Sequence, residues 1–302
     1  MHRALLYGGE DEFLAAAVPF LRDGLEAEDT VLAVVPEPNM MALRGTLGPD
    51  AEPVMFVDAD QFYLHPVRTI SEYHKIVLGS VPKRVWALAE PVWLGRTRQE
   101  TTEWERYEAI VNAAFATSGA QVICPYDTRK IGYGVIEAAR RTHPVLIQGQ
   151  GPYSSRHYDE PEHFATLIDQ DPLPPPPGRP EVMGLAESED FRDLRAFVGD
   201  HAIMLGMSGE AIRPYLMAVC EVATNAVRHG APPMEVRTWA QDGDLVTEVV
   251  DYGHWRPEPL IGHLPPAPGT GIGLWGVRLL ADTVELRTGW GGTVVRISSK
   301  IK

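Results

Sequence analysis

A run of prolines in the second half of the chain is the feature that most restricts how it can fold. Residues 171–180 read DPLPPPPGRP. Consecutive prolines cannot continue a helix or lie inside a sheet, and they favour an extended polyproline spacer. The chain has 302 residues, which at roughly 100–200 residues per domain predicts two domains. We therefore predict a domain over residues 1–170, a linker over 171–182 and a second domain over 183–302. A proline-rich surface loop within one domain is the alternative.

Charge and cysteine content restrict partners and location. The net charge is −14, and a phosphate backbone would be repelled by that field, so direct binding to nucleic acid is not expected. The two cysteines, Cys124 and Cys220, are far apart in sequence and form no disulfide framework, which is typical of a reduced compartment. The N-terminus lacks the pattern of a signal peptide, and no apolar run approaches the length of a membrane span. We expect a cytoplasmic protein without direct membrane contact.

The first domain is predicted to be α/β. Short β-rich apolar runs, bounded by Gly, Pro or Asp, alternate with helical patterns such as residues 12–26 and 100–117. The runs predict strands over residues 4–8, 30–36, 53–58, 84–90, 121–127 and 144–148. This alternation predicts a mainly parallel sheet.

The second domain has a different order. Two helical stretches come first, over residues 187–204 and 209–229, and two strands follow over 234–241 and 244–251. A loop rich in Pro and Gly then leads to a helix over 273–281 and to two final strands, over 283–288 and 293–298. Helices on one face of a mixed, mainly antiparallel sheet predict an α+β sandwich.

The segment EVATNAVRHG, residues 221–230, carries the first candidate site. Glu221 and Asn225 are four residues apart, so both side chains share one patch of the helix surface, opposite an apolar stripe. A carboxylate beside an amide oxygen suits a hydrated Mg²⁺ ion, which takes oxygen ligands and keeps several waters. On its own, such a pair is more often exposed surface.

Two further segments carry polar or flexible residues at the ends of predicted elements. In DYGHWRPEP, Asp251 ends a strand and can accept a hydrogen bond from an exocyclic amine, while Gly253 lets the backbone approach a ligand closely. In GTGIGLWGV, Gly269, Gly271 and Gly273 lead into a helix whose N-terminus favours phosphate. No Gly-Lys-Ser/Thr follows, so this is not a Walker loop. Alone, each segment could be a simple turn.

Taken in order, these segments match the N, G1 and G2 boxes of the GHKL ATPases, followed by a strand that begins with Gly292 and Thr293. The second domain most resembles the anti-sigma-factor serine kinases, in EVATNAVRHG, DYGHWRPEP and the ending GWGGTVVRI. The resemblance implies ATP and Mg²⁺ as cofactors, and it implies a role for each matching residue. Asn225 would hold Mg²⁺, Glu221 would position or deprotonate the attacking hydroxyl, Asp251 would bind the adenine amine, Gly253 would shape the base pocket, Gly269, Gly271 and Gly273 would wrap the phosphates, and Thr293 would support the adenine contact through water.

The same resemblance implies partners. It predicts an anti-sigma regulatory factor that binds a sigma factor and phosphorylates Ser or Thr of an anti-anti-sigma (STAS-type) protein, and it implies a homodimer. Two alternatives stay open. One is a module that binds ATP and acts by sequestration without catalysis. The other is a divergent sensor histidine kinase, for which His157, His163 and His201 are the candidate phospho-acceptors, although none lies in a long heptad-patterned helix pair.

The first domain resembles the MEDS sensory domain, a relative of the KaiC/RecA-like fold. The resemblance rests on HRALLYGGEDEF, VPEPN, EPVWLGRTRQETTEWERYEAIVN and CPYD. RecA-like ATPases carry a P-loop after the first strand, whereas this chain has GGEDEF there, without Lys, so ATP hydrolysis by this domain is not expected. The family implies sensing of a small-molecule or redox signal.

Two features of this domain have alternative interpretations. The aromatic and charged residues between Trp93 and Glu108 could line a ligand pocket, or they could form a helix with i,i+3 and i,i+4 charge pairs and a buried aromatic side. Cys124, at a predicted strand end beside Tyr126 and Asp127, could be redox-active, or it could be a buried small hydrophobic residue.

Overall fold

The chain folds into two compact units, and each is described by itself. The computed structural model describes residues 1–149, 151–185, 191–266, 269, 271–289 and 291–301. The first unit comprises Met1–Ala165, and the second begins at Thr166. Among the described helices, none combines the length and the apolar character that crossing a bilayer would require.

The first unit is a seven-stranded sheet with helices between its strands. Its sheet has the order β3-β2-β4-β5-β1-β6-β7, in which every pairing is parallel except that of β6 with β7. The strands are β1 (His2–Tyr7), β2 (Thr30–Val35), β3 (Met55–Asp58), β4 (Val85–Ala89), β5 (Gln121–Asp127), β6 (Val145–Gln148) and β7 (Gly151–Ser154). The helices are α1 (Glu10–Glu26), α2 (Glu37–Leu47), α3 (Ala59–Phe62), α4 (Pro66–Ser80), α5 (Arg98–Ala114), α6 (Tyr133–Thr142) and α7 (Pro161–Ile168), the last of which runs into the second unit.

In its described residues, the second unit is a five-stranded sheet with three helices. The described strands pair only antiparallel, in the order β11-β12-β10-β9-β8. They are β8 (Glu181–Gly184), β9 (Glu235–Gln241), β10 (Asp244–Asp251), β11 (Thr283–Thr288) and β12 (Thr293–Lys300), and the helices are α8 (Arg192–Met204), α9 (Gly209–His229) and α10 (Gly273–Leu280).

Helix α9 is the central helix of this unit. Ser208 caps its N-terminus by accepting the Ala211 N–H, and Gly230 follows its last residue, His229. Its apolar side joins the same core as Val249 of β10 and Ile297 of β12. The buried Tyr215 hydroxyl lies 2.9 Å from Thr247 Oγ1 and donates toward the carbonyls of Leu245 and Ile297. These contacts fix the helix against the sheet.

The proline-rich segment lies along the sheet of the second unit. Arg287 on β11 donates to the Asp171 carbonyl at 2.7 Å and pairs with the Asp169 carboxylate at 2.7 Å. Arg296 on β12 donates to the Pro174 carbonyl at 2.6 Å. The unit boundary precedes the predicted linker by several residues. The domain limits 1–170 and 183–302 stay a prediction. The carbonyls of Asp171 and Pro174, in the predicted linker, accept hydrogen bonds from strands of the second unit.

The predicted fold class is confirmed for both units. The α/β unit is mainly parallel, and the second is an antiparallel sheet with helices. The predicted limits of β5, α9, β10 and β11 agree with those observed. The helix predicted over 187–204 is described from Arg192 onward, and residues 187–190 lie outside the described residues.

Candidate nucleotide site

A cavity of about 540 Å³ opens between α9, β10, β12 and the start of α10. Its volume lies within the range of about 300–1,000 Å³ that is usual for small-molecule sites. Five residues predicted from the sequence line it: Asn225, Asp251, Gly271, Gly273 and Thr293. The wall is otherwise mostly apolar, with few polar groups converging on it. This composition is typical of a ligand pocket.

Asp251 is buried, yet one of its oxygens is available to a ligand. Its Oδ1 accepts the Gly253 N–H at 2.7 Å, and no other hydrogen bond reaches the carboxylate from the described part of the chain. Glycines surround it because nothing larger fits. A Cβ at Gly230 would lie 2.5 Å from Asp251 Cγ, and one at Gly292 would lie 2.1 Å from the Asp251 carbonyl oxygen. The packing therefore fixes the carboxylate at the cavity wall.

Gly253 does not line the cavity, and its position is determined by its contacts with Gly230 and Asp251. A Cβ there would lie 2.9 Å from both Asp251 Oδ1 and Gly230 Cα. Its requirement for glycine follows from contact with Gly230 and Asp251, and it is not among the residues that line the cavity. Its role in shaping the base pocket stays a prediction. Such a role would be indirect, because Gly253 contacts Asp251, which lines the cavity.

Thr293 lies directly across from Asp251 in the antiparallel pairing of β10 and β12. Its side chain is buried, and its Oγ1 has no hydrogen-bond partner. A buried hydroxyl without a partner costs about 1–3 kcal/mol, so a ligand or a water in the cavity would remove a penalty. Asp251 and Thr293 together offer one acceptor and one hydroxyl at the same end of the cavity.

Asn225 and Glu221 occupy successive turns of α9. Asn225 lines the cavity, whereas Glu221 is not among the lining residues. Both side chains are half-buried, and neither makes a hydrogen bond or ion pair with a described residue. The metal role of Asn225 and the catalytic role of Glu221 stay predictions.

The glycine-rich loop precedes α10, which begins at Gly273. Gly269 and Gly273 have φ values of +87° and +42°, a region that other residues rarely adopt. Gly271 and Gly273 line the cavity, and Gly269 is exposed outside its lining. Thr270, within the same motif, lies outside the described residues.

Sequence reasoning assigned no role to two tryptophans of this site. Trp255 and Trp275 both line the cavity, and Trp275 Nε1 is buried without a hydrogen-bond partner. The available signal was their position, because Trp255 lies in DYGHWRPEP and Trp275 in GTGIGLWGV. Ile261 and Leu264 add apolar wall from the loop between these motifs.

In the first unit, three of the motifs that carry the MEDS resemblance meet at the carboxyl ends of the strands. Tyr7 ends β1, Asn39 lies in α2 and Glu90 follows β4. Tyr7 donates its hydroxyl to Glu90 at 2.8 Å, and the Asn39 amide donates to Glu90 at 2.6 Å. Burial raises the pKa of Glu90 to about 7, and the hydrogen bonds from Asn39 and Tyr7 oppose that shift. Carboxyl ends of strands are where open α/β sheets bind ligands.

The position of a P-loop is filled differently in this chain. The Gly8 N–H donates to the Glu12 carboxylate at 2.6 Å, and the first turn of α1 carries Glu10, Asp11 and Glu12. Carboxylates at a helix N-terminus satisfy the positive end of its dipole, and they repel phosphate. That the first unit does not hydrolyse ATP stays a prediction.

Helix α5 favours the second interpretation of its aromatic and charged residues. Trp104 and Tyr107 are buried and meet edge to face. Arg106 pairs with Glu103 at 3.4 Å, an i,i+3 ion pair.

Cys124 is buried, and burial raises the pKa of its thiol. This burial favours the small, buried residue over an exposed redox group.

The three candidate phospho-acceptors are dispersed. His201 lies near the end of α8, a helix of 13 residues, with its Nδ1 2.9 Å from the Phe197 carbonyl oxygen. His163 in α7 lies 3.8 Å from Asp159, and His157 is exposed on a turn.

Comparison with known families gives one match for each unit. The MEDS family (MEthanogen/methylotroph, DcmR Sensory domain) matches residues 1–144. The histidine kinase-like ATPase domain family matches residues 185–299. No curated protein matches the chain.

Two of the solved structures that match the chain come from bacteria. One contains the RsbU and RsbW domains of a Mycobacterium tuberculosis protein, is 23% identical, and has a TM-score of 0.32. That match covers 41% of this chain and 32% of the other, so this chain spans about a third of that relative's length. Another is a blue-light activated histidine kinase from Erythrobacter litoralis, 16% identical, with a TM-score of 0.28 and coverage of 70% of this chain and 62% of the other.

Proposed function

Because the chain joins a MEDS domain to a histidine kinase-like ATPase domain, we propose that it is an anti-sigma regulatory factor under the control of a sensed signal. In this proposal the second domain binds a sigma factor and, with Mg-ATP, phosphorylates Ser or Thr of an anti-anti-sigma protein of the STAS type. The first domain receives a small-molecule or redox signal. The protein acts in the cytoplasm as a homodimer.

One observation carries the nucleotide part of this proposal. The buried pair of Asp251 and Thr293 faces the cavity with one unpaired carboxylate oxygen and one unpaired hydroxyl. An adenine ring presents an exocyclic amine, which donates, beside a ring nitrogen, which accepts. A carboxylate acceptor beside a hydroxyl is complementary to that edge. The cavity volume and its apolar wall fit a purine between them.

The other predicted residues of the site would contact Mg²⁺, the phosphates of ATP and the incoming hydroxyl. Asn225 offers an amide oxygen to a hydrated Mg²⁺, and backbone N–H groups around Gly271 and Gly273 are free of Cβ hindrance toward phosphate oxygens. ATP would supply the phosphoryl group, and Mg²⁺ would neutralise its charge. Glu221 orients the incoming hydroxyl and accepts its proton. Such transfer depends mainly on positioning and charge neutralisation, so one carboxylate and one metal ion suffice.

The experiment that tests the proposal is a transfer assay. The full chain is incubated with labelled ATP, Mg²⁺ and candidate STAS-type proteins, and the phosphorylated residue type is identified. We expect phosphoserine or phosphothreonine on a partner. No transfer to any partner, with ATP still bound, would favour the sequestering module. Label on a histidine of the chain itself would favour the sensor histidine kinase.

A further inference from the structure

Four metal-binding side chains converge inside the first unit, away from the nucleotide site. They are His2, Glu108, Cys124 and His143, and one ligand atom of each lies within 4.8 Å of every other. All four residues are buried, with at most 5% of any of them exposed. They come from β1, α5, β5 and the residue that follows α6, so distant parts of the sequence meet at one point.

Neighbouring groups fix which ring nitrogen of each histidine carries its proton. His143 Nδ1 lies 2.9 Å from the Ala139 carbonyl oxygen, which can only accept. His2 Nδ1 lies 3.2 Å from Asn112 Oδ1. Asn112 is oriented by donating its amide to the Thr142 carbonyl at 2.7 Å. Both Nδ1 atoms are therefore the donors, which leaves a lone pair on each Nε2.

Both Nε2 atoms converge on Glu108 and Cys124. His143 Nε2 lies 3.2 Å and His2 Nε2 lies 3.4 Å from Glu108 Oε2. His2 Nε2 also forms a hydrogen bond of 3.1 Å with the Cys124 thiol, whose proton a metal ion would replace. Neither Glu108 oxygen nor His143 Nε2 has a hydrogen-bond partner of acceptable geometry. Buried acceptors that face one another are costly unless a cation lies between them.

We propose that His2, Glu108, Cys124 and His143 form a site for one Zn²⁺ ion or a similar first-row divalent metal ion. Two imidazoles, one thiolate and one carboxylate are the ligand types that such ions prefer. Metal–ligand bonds of about 2.0–2.3 Å place neighbouring ligands of a tetrahedron about 3.3–3.8 Å apart. The contacts of 3.1–3.4 Å lie close to that spacing.

Charge balance and the outer contacts agree with this assignment. Binding displaces the thiol proton of Cys124 to solvent, so that one thiolate and one carboxylate neutralise the two charges of the ion and the buried site is neutral as a whole. The Nδ1–H bonds of both histidines are the outer contacts that usually orient metal-bound imidazoles. The ion would join four elements of the sensory unit, which makes the fold of that unit dependent on metal.

Cobalt provides the test because it reports both geometry and sulfur ligation. The full chain, without a histidine tag, is stripped of metal, titrated with Co²⁺ and then with Zn²⁺. We expect one ion per chain, visible bands of tetrahedral cobalt, and a near-ultraviolet thiolate-to-cobalt band. Cys124→Ser should abolish the thiolate band, and Glu108→Gln should weaken binding by at least about tenfold, the loss typical of even an outer contact. Cys220→Ser and His163→Ala are the matched controls and should change neither.

Two results would overturn the site. One is a folded wild-type chain that binds neither Co²⁺ nor Zn²⁺, in which case a shared proton joins Glu108 to the histidines. The other is a cobalt spectrum that Cys124→Ser leaves unchanged. If that variant does not fold, X-ray absorption of the zinc-loaded wild type decides the question, because it must show one sulfur among the ligands.

Discussion

Asp251 is buried and still available at the cavity wall, because two glycines, Gly230 and Gly253, leave room for its carboxylate. Gly253 donates its N–H to one carboxylate oxygen at 2.7 Å, and the close approach of Gly230 restricts the side chain, while Gly292 packs against the Asp251 backbone carbonyl. A carboxylate held in this way loses little conformational entropy when a ligand binds. Little of the interaction free energy is therefore offset by ordering the side chain.

Replacing this carboxylate tests whether it contacts the nucleotide. In Asp251→Asn, the amide oxygen can still accept the Gly253 N–H, which turns the amide nitrogen toward the ligand amine. A charge-assisted hydrogen bond of about 1.5–3 kcal/mol is lost, and ATP affinity should fall about tenfold to a hundredfold. Isothermal titration calorimetry measures the affinity for ATP, and Asp244→Asn, at the other end of β10, is the control. Unchanged affinity in the folded variant would make Asp251 a turn residue only.

Substitutions at Asn225 and Glu221 should have different effects on nucleotide binding and phosphoryl transfer. Asn225→Ala removes an amide oxygen from the cavity wall, so Mg-dependent nucleotide binding should weaken if that oxygen holds Mg²⁺ as proposed. Glu221→Ala leaves the cavity lining intact, so nucleotide should still bind, while transfer should fall by about 10²–10⁴-fold, the usual contribution of a positioned general base. The measurement is the transfer rate to a STAS-type partner at saturating ATP. Equal, non-zero rates for wild type and Glu221→Ala would exclude Glu221 from the mechanism.

Glu90 gives the first unit a pH-dependent stability. Its pKa is raised from 4.5 to about 7 in the folded chain, mainly by burial. Between these values the unfolded chain releases the proton while the folded chain retains it, so stability falls as pH rises from about 4.5 to about 7, by about 3 kcal/mol in total. Glu90→Gln should remove this dependence. Urea unfolding across that pH range measures it, with the exposed Glu52→Gln as control; an unchanged slope in Glu90→Gln would refute the assignment.

The residues of the candidate site were predictable where a motif names them, and not where packing selects them. Asn225, Asp251 and Thr293 stand at fixed places in recognisable motifs. The hydrogen-bonded cluster of Tyr7, Asn39 and Glu90 was not predicted. Its members are far apart in sequence and come together only because three parallel strands end at the same edge of the sheet.

At the level of elements, α9 contributes to both the core and the cavity. Val222 and Ala226 are buried in the core and also line the cavity, next to Asn225. Periodicity predicted this helix over its observed length because its apolar stripe is long, and the structure shows a Ser208 cap at its start. Strand β8 was not predicted, since a four-residue strand after a proline run carries little pattern of its own and depends on pairing with β9.

The Tyr215 hydroxyl is expected to fix α9 to the sheet. Tyr215→Phe leaves the ring in the core but removes the bond to Thr247 at 2.9 Å and leaves buried acceptors less well satisfied. The free energy of unfolding should fall by about 1–3 kcal/mol. Hydrogen exchange of the α9 amides measures this loss locally. Tyr252→Phe, at a side chain that is 48% exposed, should have almost no effect, and an equal loss in both variants would contradict the assignment.

At the level of the whole molecule, both units are built on a central sheet, but among the described residues the features expected of a nucleotide site lie in the second unit. In the second unit an unpaired acceptor and an unpaired hydroxyl face an apolar cavity. In the first unit, the place where a related fold would hold phosphate carries three carboxylates, and one of them binds the Gly8 N–H. The division follows from charge: an anion is favoured beside free N–H groups and repelled by a carboxylate that already occupies them.

Nucleotide should therefore bind once per chain, in the second unit only. Calorimetry of the full chain with Mg-ATP should give a single site, and Asp251→Asn should weaken that one isotherm without revealing a second. A fragment of residues 1–165 should release no binding heat, whereas residues 166–302 should retain the site. Glu12→Gln serves as the control in the full chain, because removing one carboxylate leaves Glu10 and Asp11 in the first turn of α1 and should not create a second site. Saturable binding by residues 1–165 with none by residues 166–302 would reverse the assignment, and it would mean that the acidic turn of α1 accepts phosphate despite its charge.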